Sequence, residues 1–298
     1  MNGIVILDKP LGLSSNQAMG RLKRLLEEKK AGFLGTLDPL ASGVLPVFLG
    51  KATKLIPFFE GVEKEYRVTV KLGETTETLD AEGAVQEVRD TGGLTETQVE
   101  EVVLSFDGKM IQRTPSFSAV KINGVPAYKL ARKGAEVPTR DREVELSHMT
   151  IEKIDLPEVT FTVVCSAGTY MRALAAEIGE KLAVGGHVKH LRRTRCGRLF
   201  TEEISSTLEE ITYALERETL DFLKNPGDFL ADHSSVVLPE EMEGRLRDGQ
   251  PLTFPVVTCE AAKDKIKVMR SNGELLATGK VVRRSPEAVV VQPKKVFL

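Results

Sequence analysis

The chain has no tryptophan, only three cysteines and only four histidines among its 298 residues. Cys165, Cys196 and Cys259 are odd in number and too far apart for a CxxC pair, so neither a disulfide framework nor a cysteine metal site is expected, and a reducing cytoplasm suits them. The histidines form no H-E-x-x-H pair, and neither a Walker loop nor a G-x-G-x-x-G fingerprint occurs. Zinc hydrolysis, nucleotide-driven chemistry and hydride transfer therefore lose their usual sequence support. Glu74, Glu77, Asp80 and Glu82 form an acidic stretch without the calcium-loop pattern, and no metal is expected. Long apolar runs are missing too. Ile4 to Leu7 is too short for a signal-peptide core and nothing later approaches a membrane span, so a soluble chain with no membrane partner is expected. Charge of one sign is not in excess: the formal net charge is −2, and a nucleic-acid partner has to be argued from local patches.

What is present is an ordinary globular composition, 41% hydrophobic and 28% charged, at a length suited to about two domains. Ile4 to Leu7 reads as a short strand, followed by a Lys9-Pro10-Leu11-Gly12 turn and a helix from about Ser15 with Ala18, Met19, Leu22, Leu25 and Leu26 on one face. Tyr66, Val68, Val70 and Leu72 alternate with Glu65, Arg67, Thr69 and Lys71, the period of a half-buried strand. Val159 to Cys165 reads as another strand, leading through Ser166-Ala167-Gly168-Thr169 into a helix carrying Leu174, Ile178 and Leu182. Strands and helices mix without regular βαβ alternation, which predicts an α+β fold. After Asn225-Pro226-Gly227 the texture changes to short β-like runs between glycine turns. The expected domains are 1–231 and 232–298, the second a small β-barrel.

Four features bear on chemistry. Asp38 followed by Pro39 fits a helix N-cap, but Gly43 would break such a helix almost at once, whereas a glycine-bounded loop presents a carboxylate to a ligand. Arg172 falls at a helix start, where the macrodipole disfavours a cation, so an acidic partner or anionic ligand is expected beside it. Tyr66, on the apolar face of its strand, is by default a core tyrosine. Gly185 to Arg198 carries Lys189, Arg192, Arg193, Arg195 and Arg198 with two histidines and no acid, and reads either as a solvated helix face or as a phosphate contact.

In order and spacing, six segments resemble the bacterial tRNA pseudouridine-55 synthases, the TruB family. They are Asp8 to Ser15 (DKPLGLSS), Gly35 to Pro46 (GTLDPLASGVLP), Lys64-Glu65-Tyr66, Gln112 to Lys121 (QRTPSFSAVK), Gly168 to Arg172 (GTYMR) and His187 to Arg193 (HVKHLRR). The resemblance covers nearly the whole chain, and the carboxy-terminal segments are similar to a PUA-type RNA-binding module. It implies a mixed, largely antiparallel central sheet flanked by helices, and isomerisation of a T-loop uridine of tRNA without a cofactor. The base is flipped out and stacked on an aromatic ring. Asp38 matches the essential aspartate, Arg172 its charge partner and Tyr66 the stacking ring. Leu191 matches an apolar wall of the pocket, Lys9 a support of the loop, and Tyr170 a residue near the substrate phosphate; Lys189, Arg192 and Arg193 are expected to contact RNA. The implied partner is the T-stem and T-loop of tRNA, with a monomer and no obligatory protein partner expected. Phe33-Leu34 departs from the family's usual His-Thr, so Phe33 is expected to stack in the T-loop without hydrogen-bonding, and Phe117 stands where a tyrosine is common. The competing readings are an RNA-binding or RNA-folding protein without catalysis, and a synthase for another uridine.

Overall fold

The computed structural model describes residues 1–115, 121–122, 124–127, 130, 138–255 and 264–298. Phe117, Cys259 and the centre of the 112–121 segment lie outside the described residues. The chain order begins β1 (Gly3–Lys9), α1 (Ser15–Leu25), β2 (Ala31–Phe33), β3 (Ala41–Leu49), β4 (Lys64–Leu72), β5 (Glu74–Thr76), β6 (Val85–Val88), α2 (Glu96–Leu104) and β7 (Gly108–Arg113). After the short strands β8 (Lys121–Ile122) and β9 (Val125–Pro126) come β10 (Asp141–Asp155), β11 (Glu158–Cys165), α3 (Met171–Lys181), β12 (Gly186–Cys196), β13 (Phe200–Thr201), α4 (Leu208–Glu216) and β14 (Leu223–Lys224).

Among the described residues these strands build one large sheet in the order β14-β1-β3-β12-β4-β11-β10-β7, with β2 paired to β3 and β13 to β12. Every pairing in it is antiparallel except that of β12 with β3, as an α+β reading requires. Periodicity explains the elements around the main core. Tyr66, Val68, Val70 and Leu72 of β4 are all buried, as are Leu174 and Ile178 of α3 and Ala18 and Leu22 of α1. A capping box starts α1, with Ser14 accepting from the Gln17 N–H and the Gln17 side chain reaching back to the Ser14 N–H.

The backbone decides two open readings. The basic run is not a helix face: it is β12, a central strand with Val188, Leu191, Arg193 and Cys196 buried. Asp38 and Pro39 start no helix either, because the chain turns at residues 39–40 and enters β3 at Ala41. Gly43 belongs to that strand. At φ +98° it lies in the region that favours glycine, and a Cβ there would sit 2.2 Å from the Arg193 carbonyl oxygen, so the close parallel pairing of β3 with β12 needs it.

Beyond residue 232 lie β15 (Ser234–Val237), α5 (Glu243–Arg247), β16 (Leu252–Pro255), β17 (Lys265–Met269), β18 (Leu275–Arg284) and β19 (Ala288–Val296). They form a five-stranded sheet in the order β15-β17-β18-β19-β16, with a core of its own around Val236, Leu246, Val268 and Val291. A further cluster bridges the two sheets: Ile4, Ile6, Phe48, Phe59 and Phe200 pack with Phe229, Met269, Leu275 and Phe297. The rings of Phe200 and Phe229 stack at 4.9 Å. No helix among the described residues is long and apolar enough to cross a membrane.

Candidate active site

Four segments far apart in the chain meet at a pocket of about 220 Å³ walled by Asp38, Tyr66, Tyr170, Arg172, Leu191 and Arg193. The Asp38 loop is fixed from behind. Buried Ser15, at the start of α1, accepts a hydrogen bond from the Leu37 N–H at 2.7 Å and donates to the Leu37 carbonyl at 3.0 Å. The Gly12 N–H donates to the Pro39 carbonyl at 2.9 Å, and the Leu34 N–H to that of Pro46 at 2.9 Å. Lys9 is fully buried under this loop, its ammonium donating to the carbonyls of Pro10 at 2.9 Å and Leu13 at 2.5 Å. Burial pulls the Lys9 pKa down to about 8, against the nearby carboxylates of Asp38 and Glu82, which raise it.

With its loop pinned, Asp38 holds a carboxylate 42% exposed toward the pocket, and Arg172 Nε lies 3.0 Å from its Oδ2. Arg172 is itself buried; its Nε is also 3.6 Å from Asp80 Oδ2, and its Nη1 donates to the Thr78 carbonyl at 2.9 Å. The cation expected to need one acid thus has two, which offset the unfavourable macrodipole at the start of α3. Buried Asp80 is held in turn by the Glu82 N–H at 3.1 Å and by the Thr78 hydroxyl. In the sequence Asp80 is one of four acids in a stretch without the calcium-loop pattern; no local pattern distinguishes the one member that the fold buries.

Tyr66 is buried and stands opposite Arg193 in the β4–β12 register. Burial pushes its phenol up to about 12, with the Arg193 guanidinium pulling the other way, so the hydroxyl keeps its proton at neutral pH. Arg193 is fully buried: Nε donates to the Val44 carbonyl at 2.7 Å and Nη2 to that of Gly35 at 3.0 Å, while Nη1 meets no acceptor with hydrogen-bond geometry among the described residues. It braces the pocket from within and is not a surface cation. Nor do its neighbours form an unopposed basic patch. Arg192 pairs with Asp8 at 2.8 Å and Glu202 at 3.1 Å, Arg195 with Glu65 at 3.1 Å, and Lys189 with Glu158. The acids absent from the run itself arrive from β1, β4, β11 and the residue following β13.

Tyr170 is the N-cap residue of α3, and its peptide is clamped by Gln112. The Tyr170 N–H donates to Gln112 Oε1 at 2.7 Å, and Gln112 Nε2 donates to the Tyr170 carbonyl at 3.1 Å. The alternation of β7 turns Gln112 inward, a signal that period two offers but that the motif alone does not explain. Leu191, buried, forms an apolar wall. Phe33, half-buried on β2 opposite Val47, packs against the main core and is not among the pocket's walls. The whole arrangement offers one anchored carboxylate, one aromatic ring and one apolar wall, enough to hold a planar ring against a reactive acid.

Comparison with known proteins adds the following. Residues 23–171 match the TruB family pseudouridylate synthase N-terminal domain, and residues 172–238 match the tRNA pseudouridylate synthase B C-terminal domain. The chain is 42% identical to the tRNA pseudouridine synthase B of Syntrophus aciditrophicus (strain SB), over 97% of this chain and 94% of that one. It is 44% identical to the protein of the same name from Geobacter sulfurreducens, over 84% and 83% of the two chains. Among solved structures it is similar to a chain of an H/ACA RNP bound to a substrate RNA containing 2′-deoxyuridine, with a TM-score of 0.69, 26% identity and coverage of 99% of this chain and 85% of that one. A chain of a Cbf5-Nop10-Gar1 complex matches at a TM-score of 0.69 and 27% identity, again over 99% and 85%.

Proposed function

The chain belongs to the TruB family of pseudouridylate synthases, and from that premise we propose that it isomerises the T-loop uridine at position 55 of tRNA to pseudouridine. In that reaction the bond from C1′ to N1 breaks, the ring turns, a bond from C1′ to C5 forms, the C5 proton leaves to solvent and N1 takes up a proton in exchange. The chain is an enzyme of the isomerase class, and tRNA uridine is its substrate.

The observation that carries the reading is the Asp38–Arg172 pair at 3.0 Å, at a pocket whose other walls are an aromatic ring and a leucine. Asp38, exposed to the pocket, is the reacting group. Arg172 holds it in place. Tyr66 stacks on the flipped uracil and relays the proton lost from C5, its hydroxyl passing one proton on to solvent as it accepts another; Leu191 closes the other side of the ring. Tyr170, set by Gln112, lies where the nucleotide's phosphate enters, and Phe33 stacks on a neighbouring T-loop base. Lys9 and Arg193 support the site from beneath. Lys189 and Arg192, both bound to carboxylates, reach a phosphate only by exchanging those partners. The sheet from β15 to β19 serves as a PUA-like module that grips the tRNA away from the target.

An unmodified tRNA transcript tritiated at uridine C5 tests this. Tritium release of about one equivalent, mapped to position 55, is expected. Asp38→Asn is expected to lose at least about 4 kcal/mol of transition-state stabilisation, roughly a thousandfold in rate, while still binding tRNA. Near-normal turnover by that variant would remove Asp38 from the reaction.

A further inference from the structure

Helix α1 begins at the site and leads away from it: Ser15, its first residue, holds Leu37 beside Asp38. Along its exposed side Gln17, Gly20, Arg21 and Arg24 recur at i, i+3, i+4 and i+7, which puts them in one stripe. With Leu13 they line a shallow open groove.

Two observations about this stripe point outward. One is charge. Arg21 and Arg24 form no ion pair among the described residues, and the hydrogen bond of Arg24 is to the Gly20 carbonyl of its own helix, at 3.4 Å. The cations of β12 stand in contrast, since Lys189, Arg192 and Arg195 already hold carboxylates. The other is Gly20. Glycine inside a helix is unfavourable relative to alanine, yet a Cβ built at Gly20 meets nothing within 4 Å, so no contact among the described residues calls for it. Close approach of another backbone is the other use of such a glycine.

We propose that this stripe of α1 is a docking surface for the ribose-phosphate backbone of the substrate RNA next to the flipped nucleotide. Arg21 and Arg24, about one helical turn apart, neutralise phosphates, and Gly20 admits the backbone between them. The proposal rests on the assignment of an RNA uridine as substrate. It moves the sequence-independent grip from the basic strand, where the residue pattern suggests it, to a helix whose cations are available.

The test uses the full-length protein and an unmodified tRNA transcript, with binding followed by fluorescence anisotropy across a salt series. The double variant Arg21→Gln/Arg24→Gln is expected to raise Kd about tenfold or more at low salt. It should also flatten the slope of log K against log salt by about 1 to 2. The control is Lys109→Gln/Lys153→Gln, two exposed cations on β7 and β10 at the other end of the sheet. Gly20→Ala is expected to raise Tm and to weaken tRNA binding, opposite signs that a purely structural glycine does not produce. An unchanged salt slope, a double variant no weaker than the control, or a Gly20→Ala protein that binds as tightly as wild type would each overturn the proposal. Because the readout is binding, it separates from the substrate assignment, which fails instead if wild-type protein releases no tritium from tRNA.

Discussion

At the scale of single residues the site depends on side chains whose burial sets their charge. Lys9 has a folded pKa of about 8 against its ordinary 10.5. Between those values the unfolded chain carries a proton that the native protein lacks, so this lysine makes stability rise with pH across that window, by on the order of 2 to 3 kcal/mol. Denaturant unfolding of wild type and Lys9→Met from pH 7.5 to 10.5 should show wild type gaining on the variant; parallel curves would show that Lys9 keeps its proton. Asp38 stood out by its glycine-bounded segment and Arg172 by its helix start, whereas Tyr66 entered only through the family resemblance, since period two makes it a core tyrosine; the fold brings the three to one pocket. Ser15, Asp80 and Gln112 were not legible, because what distinguishes them is a partner 22 to 92 residues away, and neither periodicity nor composition reports a partner.

At the scale of elements, periodicity located α1, β4, β11 and α3, whose buried faces repeat cleanly. It failed at β12. That strand alternates too, but its outward positions are cations paired with acids from neighbouring strands, and in one dimension such a run is indistinguishable from a solvated helix face. The Asp38 segment read more faithfully: Asp-Pro is helix-starting chemistry, but Gly43 argued for a loop instead, and the close approach of β3 to Arg193 explains why a glycine stands there. Gly43→Ala is accordingly expected to cost about 2 kcal/mol or more and to lower Tm visibly in thermal unfolding. An unchanged Tm would mean that β3 and β12 can separate without penalty.

At the scale of the whole molecule, the change of texture near residue 232 marked where one sheet gives way to the next, but the seam between them was not legible. It is made of single apolar positions such as Phe229, Met269 and Phe297, which carry no period. Truncation after residue 231 removes Met269, Leu275 and Phe297 from the cluster around Phe48, Phe59 and Phe200, at a cost of up to about 5 kcal/mol. The shortened chain is therefore expected to melt at lower temperature as well as to bind tRNA less tightly; an unshifted Tm would show that the first sheet is self-sufficient. The parallel pairing of β3 with β12 has its own consequence, in time. It pairs Arg193 with Gly43 and brings the Arg193 side chain to the Val44 carbonyl across 149 residues, and β4 takes its place beside β12 from the other side. A growing polypeptide therefore has no pocket floor until β12 has been synthesised, however early Asp38 and Tyr66 emerge, and contacts of such long range fold slowly. On refolding from denaturant, helical circular dichroism should return before the ability to release tritium, so the enzyme would be born inactive and become competent in one late step.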